Sequence, residues 1–363
     1  MTTDANALSL HLRVGEVVEV RTEEEILATL DAKGCLDGLP FMPEMFKYCG
    51  SRQRVVKRAH KTCDSIHYTG SRRMVDAVHL ADIRCDGHAH GGCQAECLIF
   101  WKEAWLTRAP EGIPRRDSSQ APEVPVLRNE TSCTELMVRQ SCTRTIDGEQ
   151  LRYVCQATQL RAATSPLAWW NLRQYWEDYT SGNVDLRTIL IGFCHSLLTV
   201  MRKVPWLGVW IKRLYNGLQR LRGKPRHPRT WGRIAPGKPT PSCELNLQPG
   251  ELARVKSFDA ILDTITQDYY NRGMKWDAEM VPYCGGTYRV RCRVKQIINE
   301  STGAMIQLKS PCVILDGVVC QARYSDCRLF CPRSTFAYWR EVWLERVSAV
   351  SGTAERTGNE AHT

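Results

Sequence analysis

"GEVVEVRTEEEILATLDAKGCLDGLPFMPEMFKYCGSRQRVVKR", Gly15 to Arg58, lies without a gap on "GELARVKSFDAILDTITQDYYNRGMKWDAEMVPYCGGTYRVRCR", Gly250 to Arg293, at an offset of 235 residues, with fifteen of forty-four positions identical. The same offset brings "VHLADIRC" (Val78–Cys85) onto "VILDGVVC" (Val313–Cys320), and after short indels "WKEAWL" (Trp101–Leu106) meets "WREVWL" (Trp339–Leu344). A repeat at fixed spacing is the signature of a supersecondary unit used more than once. The pattern reads as one ancestral module of about ninety residues, present twice.

Within each copy, "VVEVR" alternates like a half-buried strand, and Thr22 with Glu25 forms a capping box that opens a short helix, whose counterpart starts at Ser257. Strand-like runs follow around Arg54–Lys57 and Val78–Arg84. A period of two in the final run places Trp101, Glu103 and Trp105 on one face. The predicted class is α+β: two related small β-barrel-like modules joined by a linker and a helical Trp-rich insert. The boundaries are residues 12–108 for the first cysteine-rich module, 109–130 for a Pro-rich linker and 131–223 for the cysteine-containing, helical, Trp-rich insert. A basic Pro-rich linker then spans 224–247, the second module 248–347 and a disordered tail 348–363.

The chain of 363 residues is long enough to bury real cores, so its seventeen cysteines are not needed as disulfide staples. "MTTDANALSLHLRVGE" lacks a basic region followed by an apolar run, which predicts a cytoplasmic protein. Clustered cysteines in a reducing compartment point to metal ligands or catalytic thiols. Residues that two diverged copies both retain are expected to serve the module. Four cysteine pairs pass that filter: Cys49 with Cys284, Cys85 with Cys320, Cys93 with Cys327, and Cys97 with Cys331. Four thiolates per copy suit a tetrahedral zinc ion, and these eight residues are the predicted metal ligands. The spacings C-x7-C-x3-C and C-x6-C-x3-C lack a C-x2-C knuckle, so an iron–sulfur cluster and metal-free buried thiols remain as alternatives.

Other residues fail the filter. His88 and His90 face "RYS" in the second copy, His60 faces Lys295 and Cys63 faces Ile298, so none belongs to a ligand set shared by both copies. The histidines are expected to be hydrated loop residues, and the unmatched Cys133, Cys142 and Cys155 to be buried thiols, with completion of another site as their alternative. Among acids, the matched Glu44, Glu279, Glu103 and Glu341 are the candidates for acid–base work, against a competing reading as ion pairs with the matched Arg54 and Arg58.

Charge is concentrated. Met201 to Thr240 carries eleven basic residues and no acid, so of the net +10 that segment supplies +11 and the rest of the chain about −1. Within it Leu207, Trp210, Ile211, Leu214, Leu218 and Leu221 form one apolar helical stripe. The stripe predicts a helix packed on the modules or, through residues 205–222, contact with an anionic membrane surface, with nucleic acid the weaker alternative. The uncharged run Ile189–Met201 has thirteen residues, too short to span a bilayer.

The stretches "LDGLPFMPEM", "RAHKTCD", "HGGCQAECLIFWKEAWL", "YVCQAT" and "RQYWEDYTSGN" resemble a bacterial family of cysteine-rich proteins encoded among biosynthetic genes for surface glycans or natural products. The resemblance covers most of the chain. It implies an accessory role beside a protein partner in a biosynthetic pathway, and it supplies no activity or site. No phosphate-binding glycine loop, G-x-S-x-G or H-E-x-x-H occurs in the context its chemistry needs. The expected function is a metal-stabilised accessory or scaffold protein, with a peripheral place at the membrane as the expectation that residues 205–222 add. The alternative is an iron–sulfur or other metal-dependent redox enzyme with its substrate held between the two copies.

Overall fold

The computed structural model describes residues 9–67, 69–109, 133–146, 148, 150–201, 210, 213, 216, 217, 220, 221, 228, 230–324 and 327–347. The expected linker 109–130 and tail 348–363 fall outside these apart from Ala109, and so does most of the basic amphipathic stretch 205–222.

Alternation places Val18 and Val20 in the core and makes β1 (Val17–Val20) the spine of the first sheet. Around it run β2 (Arg52–Arg58), β3 (Lys61–Cys63), β4 (Ser71–Arg73), β5 (Ala77–Leu80), β6 (Trp101–Lys102) and β7 (Leu106–Arg108). β1 pairs antiparallel with β2 on one side and β7 on the other, giving the order β6-β5-β2-β1-β7. The Thr22/Glu25 capping box opens α1 (Glu23–Leu27) as the sequence suggests, and Ile26 carries that helix into the core.

After β8 (Ser165–Leu167) in the insert, the second half holds β9 (Leu252–Val255), β10 (Thr287–Arg293), β11 (Gln296–Ile298), β12 (Met305–Gln307), β13 (Cys312–Leu315), β14 (Trp339–Arg340) and β15 (Leu344–Arg346). Its five-stranded sheet has the order β14-β13-β10-β9-β15, strand for strand that of the first. Registers match as well: Val17 opposes Arg54 as Leu252 opposes Arg289, and Val55 opposes Leu80 as Val290 opposes Leu315. Both sheets carry an irregularity at the same place, Val55/Lys57 and Val290/Cys292.

Neither sheet closes into a barrel, which corrects the barrel-like expectation. The chain leaves β6 after two residues and makes a 3-10 turn, Glu103–Trp105, before β7, so the edge strands do not pair. Trp101, Glu103 and Trp105 are all buried, but across a strand and a turn rather than on one strand face. In both halves the second tryptophan donates to a half-buried threonine, Trp105 Nε1 to Thr29 Oγ1 at 3.1 Å and Trp343 Nε1 to Thr264 Oγ1 at 2.9 Å.

The turn also positions a buried carboxylate. Glu103 accepts backbone N–H groups from Leu10 (2.6 Å), His11 (2.8 Å) and Leu12 (3.0 Å), and Arg58 Nη1 at 2.9 Å. Glu341 accepts from Leu245 (2.7 Å), Asn246 (3.1 Å) and Leu247 (3.0 Å), and from Arg293 Nη1 at 2.7 Å. Both acids are therefore clasps that strap the entering chain to its sheet, as the ion-pair alternative held, though Arg54 instead donates to the Gly15 carbonyl at 3.1 Å.

The insert contributes α2 (Glu135–Ser141), α3 (Gln156–Gln159), α4 (Arg173–Thr180) and α5 (Leu186–Met201). Among the described residues no helix is long and apolar enough to cross a membrane. Trp169, Trp170, Leu172 and Trp176 before and on α4, and Leu186, Leu190, Ile191 and Leu197 on α5, are exposed. Trp210 and Leu221, two residues of the predicted stripe, are exposed as well.

Removing Glu103 leaves three backbone donors and the Arg58 guanidinium without their acceptor. Glu103→Ala is expected to cost about 3–5 kcal/mol in urea unfolding, as a broken buried ion pair does, whereas exposed Glu24→Ala should change little.

Candidate metal centre

Two hairpins cross between the halves. β11–β12 of the second half lies against the cysteine loop of the first: Gln94 N–H donates to the Gln296 carbonyl at 3.0 Å, and Gln296 Nε2 donates to the Gly91 and Gly92 carbonyls at 2.8 and 3.0 Å. The first half's hairpin β3–β4, extended by β8, lies against the loop of the second half, with Ser71 Oγ on the Cys327 carbonyl at 3.5 Å. At the centre Arg333, buried, pairs with Glu300, and both reach Ser65. Burial works to raise the Glu300 carboxyl, and the Arg333 guanidinium outweighs it and holds the group below the ordinary glutamate value.

Between the halves lies a cavity of about 750 Å³, lined by residues of both and of the insert. Six thiols reach it: Cys63, Cys85, Cys93, Cys97, Cys155 and Cys320. They fall into two groups. Cys97 lies within electrostatic reach of Cys155 and Cys85, and Cys155 within reach of Cys93. On the other side Cys63 N–H donates to Cys331 Sγ at 3.1 Å, and Cys320 lies within reach of both thiols. The hydrogen bond with Cys331, helped by Arg333 and Arg328, holds Cys63 below the ordinary thiol value despite its burial, and makes it the more acidic member of the pair.

Of the eight predicted ligands, the structure thus brings Cys85, Cys93 and Cys97 together, and Cys320 with Cys331. Cys327 is exposed, with its carbonyl on the β3–β4 hairpin. Cys49 and Cys284 end equivalent 3-10 turns, pack against their own cores and do not line the cavity. Burial pushes the Cys49 thiol up to about 11 and Cys284 to about 12. Cys133, Cys142 and Cys155 are buried as expected.

His90 departs from the hydrated-loop expectation. It is buried at the end of a 3-10 turn, His88–His90, flanked by left-handed Gly87 and Gly91 that swing it inward. A Cβ on Gly87 would sit 2.0 Å from the Cys93 carbonyl oxygen, so the turn requires glycine there. Glu44, Cys85 and His90 bring three ligand atoms within 4.8 Å of one another, and this buried group could hold a metal ion. Its chemistry as hydrogen-bonded is different. His90 Nδ1 lies 2.7 Å from Glu44 Oε1 and Nε2 lies 3.1 Å from the Val154 carbonyl, two acceptors that call for a donor on each ring nitrogen. Burial disfavours the resulting imidazolium, but hydrogen bonds with Cys142, Cys85 and Glu44 outweigh it and hold its pKa well above the ordinary histidine value. To ligate, His90 must give up a proton and one of these acceptors. Glu279 holds the Glu44 position in the second half and accepts the Tyr324 N–H at 2.6 Å.

No family model, curated protein or solved structure matches the chain.

The insert is tied to both halves by a fully buried lysine. Lys61 Nζ donates to Asp178 Oδ2 at 2.6 Å and sits over the rings of Tyr175 (4.9 Å) and Phe330 (5.9 Å). Burial raises the Asp178 carboxyl to about 6 against the pull of Lys61. Lys61→Met should destabilise the fold by about 3–5 kcal/mol near pH 8, because an unpaired carboxylate is left inside. Protonation of Asp178 relieves that charge, so the deficit should shrink at about pH 5; chemical denaturation at the two pH values measures it.

Proposed function

We propose that the protein is an iron–sulfur protein in which two thiolate-ligated centres face one substrate cavity between the halves. The observation that carries this reading is the cavity lined by six thiols from the first half, the second half and the insert. A purely structural ion is enclosed by its ligands, whereas a centre that binds substrate keeps an open position. Ligand spacing supports a cluster over a single ion. A tetrahedral zinc holds its thiolates about 3.8 Å apart, given bonds of about 2.3 Å. Among the described residues no three thiols come within 4.8 Å of one another, the Glu44–Cys85–His90 group being the one set of three ligating atoms that does. A [4Fe–4S] cluster binds each of its four thiolates to a separate iron and so tolerates wider spacing. Backbone N–H groups on Cys331 Sγ and Cys93 Sγ, at 3.1 and 3.3 Å, are the contacts by which a protein tunes a cluster's potential. Each centre would take one electron from an external one-electron donor and pass it to an acceptor in the cavity.

Protein purified anaerobically from iron-replete cells is expected to be brown, with absorbance between about 380 and 420 nm that bleaches on reduction and returns on reoxidation. A colourless protein carrying only zinc would replace this reading by the metal-stabilised scaffold.

A second role, docking beside a biosynthetic partner at an anionic membrane surface, is supported by the exposed Trp176, Leu190, Ile191 and Leu197 on α4 and α5 and by the basic segment that follows. The protein is expected to float with anionic but not neutral vesicles, less so at high salt. A Trp176→Ser, Leu190→Ser, Leu197→Ser variant should stay in solution with its visible spectrum unchanged.

A further inference from the structure

With Cys49 and Cys284 set on their own cores, the first cysteine loop puts Cys85, Cys93 and Cys97 on the cavity, and the second puts Cys320 there, with Cys331 buried against the Cys63 N–H and Cys327 exposed, so each loop offers three thiols, one short of the four that a cluster takes. We infer that the sites are completed by exchange. Cys85, Cys93 and Cys97 are joined by Cys155 of the insert, and Cys320, Cys327 and Cys331 are joined by Cys63 of the first half, each set holding one iron–sulfur cluster.

Cys63 is carried across by the β3–β4 hairpin. Its N–H lies on Cys331 Sγ at 3.1 Å, and it lines the cavity with Cys320. Cys327 is held to the same hairpin, since its carbonyl oxygen would meet a Cβ on Gly70 at 3.2 Å and accepts from Ser71 Oγ at 3.5 Å. Ile298 stands 235 residues beyond Cys63, and its N–H donates to Cys93 Sγ at 3.3 Å. The second half's hairpin thus makes the same backbone contact but brings isoleucine where the first brings cysteine. Cys155 supplies the missing thiol. It caps the N-terminus of α3, lines the cavity, and lies within electrostatic reach of Cys93 and Cys97. Two cysteines with no counterpart at the constant offset therefore fill the two vacancies, one each. Glu44 and His90 act as positioning residues: Cys85 Sγ lies 3.7 Å from Glu44 Oε1, and His90 Nε2 holds the carbonyl of Val154, the residue before Cys155.

The inference rests on the iron–sulfur reading, and one experiment separates the two. Iron and acid-labile sulfide are measured on the full chain, purified anaerobically and reconstituted with ferrous iron and sulfide. The wild type is expected to hold two clusters. Cys63→Ala and Cys155→Ala should each lose one cluster, half the iron and half the sulfide, the double variant should lose both, and Cys49→Ala, Cys284→Ala and Cys142→Ala should retain two. Because a ligand variant can misfold, native alkylation of the wild type gives a second readout: Cys63 and Cys155 should be protected in the loaded protein and labelled after chelation. A wild type without iron and sulfide overturns the iron–sulfur reading and this inference with it. A loaded wild type whose Cys63→Ala and Cys155→Ala variants keep both clusters, or whose Cys63 and Cys155 are alkylated as fast loaded as chelated, overturns the ligand assignment alone.

Discussion

Two backbone N–H groups, those of Cys63 and Ile298, reach from one half of the molecule to a cysteine sulfur of the other, and the crossed hairpins that carry them frame the space between the halves. A strand-edge donor buried at an interface needs an acceptor, and here each finds one in a loop it could not reach within its own half. The exchange is close to self-complementary. Ser65 and Glu300 stand 235 residues apart in the chain and meet beneath Arg333, as equivalent residues meet on the axis of an isologous dimer. The cavity is the space this embrace leaves open.

Much of the sheet architecture was legible in the sequence. The constant offset carried over into strand order, register and even the irregularity in β2 and β10, because a strand's pairing follows its pattern of inward residues and both copies keep that pattern. The Thr22 cap was readable for the same local reason. Barrel closure was not: whether β6 meets β7 depends on the path of a three-residue turn, and "WKEAWL" reads equally well as one strand. The alternative role of Glu103 and Glu341 as ion pairs had the right chemistry, with Arg58 and Arg293 as partners, but no sequence pattern announces that a carboxylate will also collect three consecutive backbone donors from about ninety residues upstream.

The site was half legible. Of the cysteines that recur in both copies, Cys85, Cys93, Cys97 and Cys320 line the cavity, Cys327 is exposed, and Cys49 and Cys284 end equivalent 3-10 turns in the same half-buried position. The filter necessarily discarded Cys63, Cys155 and His90. A residue that one half presents to the other need not recur, and Cys63, whose N–H meets Cys331 of the second half, has isoleucine at the equivalent position. Cys63 and Cys155, which line the cavity, stand in "RAHKTCD" and "YVCQAT" and have no cysteine counterpart in the second half.

The crossing of the hairpins also sets an order in time. Cys93 and the N–H of Ile298 that covers it are separated by 205 residues, and Cys63 waits 268 residues for Cys331. At synthesis rates of about 5–20 residues per second, the first cysteine loop leaves the ribosome roughly 10–40 seconds before its cover exists. During that interval its sulfurs are open to oxidants and to whichever thiophilic ion arrives first. A chain so arranged benefits from a chaperone or a low-oxygen setting while it is being made, and its yield in a foreign host will depend on translation speed as much as on the stability of the finished fold.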